Sequence, residues 1–141
     1  MIPAVNTCAG ANTSPELNWT AGPSTAMSYA MVVIDRSNNN LVHWVLWDIP
    51  VATRSLPAML ATTAMLTTPA GARQVAFTGS GYQGPCPSGN LHNYEFAIHA
   101  IDAAMLPGLS ASPTTTQANN AVNMHSLGKA LLTGQSNARR P

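Results

Sequence analysis

The chain has 141 residues, 45% of them hydrophobic and only 8% charged, with a formal net charge of +1. That length suits one domain with a real core, and the apolar content is too high for disorder along the whole chain. So even a balance removes any electrostatic case for nucleic acid or an anionic membrane, the short Arg139-Arg140 cluster included. No apolar run approaches the ~18 residues of a membrane span, so an integral membrane protein is not expected.

The opening stretch, MIPAVNTC, has no basic segment running into an apolar one and therefore no visible signal peptide. It enters so abruptly that a leader removed ahead of Met1 stays open. Cys8 and Cys86 are the two cysteines. They allow one intramolecular disulfide, closing a loop of about 80 residues and worth roughly 4 kcal/mol, or two independent buried thiols. A disulfide implies an oxidising compartment. A secreted or periplasmic setting is therefore favoured, with the cytoplasm as the alternative.

Residues 27–35, MSYAMVVID, read as a buried strand ending at Asp35. The polar loop DRSNNN follows. Residues 41–49, LVHWVLWDI, are apolar on both alternating faces, as expected of a central strand covered on two sides. One face takes Leu41, His43, Val45, Trp47 and Ile49; the other takes Val42, Trp44, Leu46 and Asp48. Residues 49–72 show no clean period, and prolines at 50, 57 and 69 predict an irregular excursion with at most a short edge strand. RQVAFT, residues 73–78, is a weaker strand. Residues 79–90, GSGYQGPCPSGN, hold four glycines and two prolines and cannot be regular structure. Residues 94–102 alternate Tyr94, Phe96, Ile98 and Ala100 against Glu95, Ala97, His99 and Ile101, a third core strand.

One helix is predicted. Thr114 and Gln117 form a capping box after Pro113. Ala118, Ala121, Val122 and His125 follow at helical spacing, Leu131 and Leu132 close the run, and Gly134 stops it. Residues 135–141 are expected to fray. Strands, irregular loops and a single late helix predict a mostly β fold: a β-sandwich with a peripheral C-terminal helix, in one domain over residues 1–134.

Asp35, His43 and His92 stand out because each sits at a strand end, in a buried strand or in a rigid turn, where an unsatisfied polar side chain is costly. His99 and His125 read as structural. Two histidines and a carboxylate can ligate iron or zinc, yet no metal-binding spacing is present, so no metal and no cofactor are expected. No nucleophile elbow, Rossmann or P-loop pattern occurs, and no catalytic residue is assigned. With Tyr94 and turn backbone N–H groups, these residues suit a phosphate or carboxylate head.

NTCAGANTSPELNW, HWVLWDIP, GYQGPCPSGNLHNYEFAIHAID and HSLGKALLTG stand in an order that resembles the phosphatidylethanolamine-binding protein family, in particular its bacterial Raf kinase inhibitor-like branch. The resemblance runs from about residue 6 to residue 134. It implies a β-sandwich with a small anion pocket for phosphate-bearing head groups. Asp35, His43, His92 and Tyr94 fall on the pocket motifs, and the Gly84-Pro85-Cys86 turn on its wall. Lining from Trp44 or Trp47 is a further expectation. Cys8–Cys86 would staple the start of the chain to the pocket turn.

The chain departs from the family where Asp35-Arg36-Ser37 replaces an acidic, proline-containing stretch. A more mobile loop and a less acidic pocket are expected, with Arg36 either adding a positive charge beside the pocket or, the favoured reading, turned to solvent. The family's usual first strand is largely missing, which would expose a sheet edge. The leading functional reading is a non-enzymatic binder of a small anionic or phosphorylated ligand. The alternative is an enzyme using the same pocket, with His92 as acid or base and Asp35 as its orienter. The resemblance also implies docking to a protein partner, a kinase or protease, and a homodimer is a further option.

Overall fold

Strands apolar on both faces require cover on both sides, and the computed structural model, which describes residues 1–141, supplies it. In chain order the elements are β1 (Leu17–Asn18), β2 (Ser28–Asp35), β3 (Leu41–Pro50), β4 (Ser55–Leu56), β5 (Arg73–Ala76), β6 (His92–Ile101), α1 (Thr115–His125) and β7 (Ser126–Ser136). Five strands form an antiparallel sheet in the order β5-β3-β2-β6-β7. The short β1–β4 ribbon joins one core with Leu17 and Leu56 against Tyr29, Met31, Trp44, Leu46 and Phe96. On the other face Ala118, Ala121 and Val122 of α1 pack on Ala30, Val32, Val45 and Trp47. The predicted mostly β class with a peripheral helix is the observed one.

Two bulges in β3 re-sort the faces that strict alternation assigned. Val33 pairs with Trp44 and Ile34 with Val42, leaving His43 as the extra residue. A second slip lies between Ile49 and Leu46, where Asp48 has φ 57°. Val42 therefore joins Val45 and Trp47 in the core under the helix, while Ile49 joins Trp44 and Leu46.

The capping box of α1 forms as expected: Gln117 N donates to Thr114 Oγ1 at 3.1 Å and Thr114 N to Gln117 Oε1 at 3.0 Å. The helix stops at His125, nine residues before Gly134. Leu131 and Leu132 belong instead to β7, where they are 53% and 59% exposed. The long free edge of β6 outcompetes further helix by offering a partner to every residue from Ser126 onward, short of one bulge. Gln135 and Ser136, expected in a frayed tail, pair with Asn93 and His92, and Ile2 N donates to the Gln135 carbonyl at 2.7 Å.

Candidate functional site

Asp35 closes β2 directly opposite Tyr94 on β6 and Leu41 on β3, so three strands converge at one end of the sheet. The β3 bulge aims His43 into this corner. There its ring packs edge-on against Tyr94, with centroids 5.8 Å apart, and against Phe77 at 4.6 Å. His92 opens β6 and reaches across to Asp35, Nδ1 to Oδ2 at 2.7 Å. The other Asp35 oxygen accepts from Ser37 N at 3.0 Å.

The loop after Asp35 is held despite its missing prolines. Arg36 makes a bidentate pair with Glu95 at 2.6 and 2.9 Å, and its backbone N donates to the Asn93 carbonyl at 2.8 Å. Asn93 N in turn donates to Ser37 Oγ at 2.9 Å. The Arg36 guanidinium thus lies outside the corner, in keeping with the expected outward orientation.

Cys8 and Cys86 form a disulfide with Cα atoms 5.4 Å apart, which settles the choice between a bond and two thiols. It sits among three further ties between the N-terminal segment and the 79–90 turn. Cys8 N donates to the Pro85 carbonyl at 3.1 Å, Gly84 N to Asn12 Oδ1 at 2.8 Å, and the buried Tyr82 hydroxyl to the Asn6 carbonyl at 2.8 Å. A Cβ at Gly84 would run into the Asn6 carbonyl and Thr7 Cα, so only glycine permits this approach.

Together these segments enclose a cavity of about 200 Å³. Of the expected residues, Asp35, His43, Gly84, Cys86, His92 and Tyr94 line it with Cys8. Pro85 does not; it acts through its carbonyl on Cys8. Trp44 and Trp47 do not line it either. Trp44 donates its indole N–H to Gln74 at 2.9 Å within one core, and Trp47 packs in the other. Apolar lining comes from Leu41, Phe77 and Pro87, and Asn12, Asn38, Gln83 and Arg140 complete the wall. Arg140 could not have been found by pattern, because no periodicity or motif surrounds it.

Burial governs the electrostatics. It lowers the His43 pKa to about 4, against the opposing pull of the Asp35 carboxylate and the Gln83 backbone carbonyl, so this ring is neutral at pH 7. His43 Nδ1 is buried with no hydrogen-bond partner. Burial also raises the Tyr94 phenol well above its ordinary range, helped by the charge and contact of Asp35, so its hydroxyl keeps its proton. The corner therefore offers a neutral imidazole and a phenol beside one carboxylate that is hydrogen-bonded to His92.

His99 and His125 lie elsewhere. His99 Nδ1 is 2.8 Å from Ser126 Oγ, and His125 Nδ1 is 2.8 Å from Asp102 Oδ1. No group of three His, Cys, Asp or Glu side chains is placed to hold a metal ion. A larger groove, about 720 Å³, runs between β1 and β7 and is bordered by Trp19, Phe96, Ile98 and Leu132.

The family model for the phosphatidylethanolamine-binding protein matches residues 1–137. A UPF0098 protein of Methanothermobacter thermautotrophicus is 33% identical over 138 residues, covering 94% of this chain and 88% of the relative. The UPF0098 protein YbhB of Escherichia coli is 29% identical, with 88% and 81% covered. In three dimensions the chain is similar to the crystal structure of Escherichia coli YbcL, described as a new member of the mammalian PEBP family. The TM-score is 0.77 at 25% identity, over 94% of this chain and 84% of that one. The match of the family model over nearly the whole chain and the 33% identical relative agree: the chain belongs to the phosphatidylethanolamine-binding protein family.

Proposed function

We propose that the corner formed by Asp35, His43, His92 and Tyr94 binds a small anion, phosphate or the phosphorylated head of a larger molecule, without transforming it. The observation that carries this reading is the His43 ring, whose Nδ1 is buried and unpartnered in a residue that lines the cavity. A buried polar atom without a partner costs about 1–3 kcal/mol, a cost that an anion's oxygen relieves when the neutral ring carries its one proton at Nδ1. Tyr94 supplies a hydroxyl donor. With the His92 Nδ1 proton held by Asp35, Nε2 donates once the ring takes a second proton. The disulfide supports an oxidising setting, secreted or periplasmic. Titration with inorganic phosphate, followed through the histidine ring signals by NMR, tests the site. Signals of His43 and His92 that stay still at millimolar phosphate would end this reading.

The Asp35–His92 pair also favours a second reading, acid–base catalysis with Asp35 orienting His92. The cavity is lined by no serine, threonine or lysine, and both of its cysteines are bonded to each other, which weighs against covalent catalysis. Slow conversion of a bound phosphoester, lost in His92→Gln, would favour the enzyme.

A protein contact has separate support. β7 is an edge strand of eleven residues, covered by Ile2 only near Gly134 and Gln135, with Leu127, Leu131 and Leu132 exposed. Two copies pairing antiparallel about Leu131 would set Lys129 against Thr133 and Ala130 against Leu132, with no like charges opposed. This self-complementarity supports a homodimer through β7.

A further inference from the structure

Arg140 follows β7 in an exposed segment that turns back over the pocket wall. Ala138 N donates to Ser136 Oγ at 3.2 Å, and the Arg139 guanidinium lies so close over Gly89 that a Cβ there would collide with it. The next residue, Arg140, lines the cavity with Asp35, His43 and His92.

The charges in that cavity give this residue its meaning. Asp35 is its one carboxylate. His43 is neutral at pH 7, and His92 when protonated only balances Asp35. Without Arg140 the lining therefore carries a net charge no greater than zero. Such a lining offers an anion hydrogen bonds but no net attraction. Arg36 cannot fill this role, since both of its donors toward β6 are taken by Glu95. Arg140 makes no hydrogen bond or ion pair of its own, so its guanidinium is free to meet a ligand.

We infer that Arg140 is the residue that selects ligand charge, making the pocket prefer a phosphomonoester-type dianion over singly charged phosphodiesters and carboxylates. This rests on the anion-pocket reading above. A guanidinium presents a planar fork of donors that matches two phosphate oxygens at once. A phosphomonoester loses its second proton near pH 6, so at neutral pH it offers a second negative charge that a diester lacks. One charge of the ligand faces His92 and its partners; the second is matched by Arg140.

The experiment compares dissociation constants for inorganic phosphate and dimethyl phosphate at pH 7.5 and low salt, read from the His43 and His92 ring signals. The native chain is expected to prefer phosphate. Arg140→Gln should weaken phosphate about tenfold, equivalent to about 1.4 kcal/mol, and dimethyl phosphate much less, so that the preference collapses. Arg54→Gln removes the same charge beside Tyr29 at the far end of β2 and should leave both constants in place. Phosphate affinity unchanged in Arg140→Gln, or a native chain that holds both ligands equally, overturns the role of Arg140 while the pocket stands. A native chain that binds neither ligand overturns the pocket itself, and this role with it.

Discussion

His92 Nδ1 and Asp35 Oδ2 lie 2.7 Å apart although 57 residues separate them in the chain. The pair is coupled: Asp35 is 3% exposed, and removing His92 leaves one of its oxygens buried without a partner. His92→Ala should therefore abolish phosphate binding and also cost about 1–3 kcal/mol of stability. Asp35→Asn in the same chain should return part of that loss. A double-mutant cycle by denaturant unfolding is expected to give a coupling near 1 kcal/mol, and simple additivity would contradict it.

Stability should fall as the solution is acidified from pH 6.5 toward pH 4. Burial holds both His43 and His99 at about 4, against an ordinary 6.5, with Lys129 adding to the effect at His99. Both rings bind a proton more readily in the unfolded chain. Their contribution is therefore complete above 6.5 and is lost as pH drops through that window. For His43 it is on the order of 3 kcal/mol. Urea midpoints across the range should show the fall, and His99→Gln should flatten it. A flat profile in the native chain would refute the buried neutral rings.

The Cys8–Cys86 bond spans 78 residues. Replacing both cysteines with serine should lower stability by roughly 4 kcal/mol in the chain-entropy account. Phosphate affinity should drop as well, because both residues line the cavity. Equal unfolding midpoints with and without reductant would contradict the staple.

Leu131→Lys tests the β7 edge. In the self-paired register two copies of residue 131 meet at the two-fold axis, so the variant brings two ammonium groups together. Sedimentation velocity should show the native chain associating with rising concentration and the variant staying monomeric. Equal association of the two would remove β7 from the contact.

Much of the scaffold was legible because its causes are local. Thr114, Gln117, Ala118, Ala121 and Val122 specify the start and buried face of α1 within three turns. Apolar runs on both faces mark β2 and β3 as central strands. The end of α1 was not legible, because Leu131 and Leu132 satisfy a helical period by spacing alone, and the open edge of β6 takes them into β7. Nor could alternation reveal that His43 is the extra residue of a bulge.

The residue types of the site, Asp35, His43, His92 and Tyr94, were readable as motifs in one sequence. Their meeting was decided by the tertiary structure. Sheet register sets Asp35 opposite Tyr94, the bulge turns His43 inward, the disulfide draws the 79–90 turn against the first residues, and the segment after β7 brings in Arg140. Capping and periodicity act between residues within a few positions of each other and so leave their mark on the sequence. Contacts between segments far apart in the chain depend on how whole strands pair, which no short stretch encodes by itself.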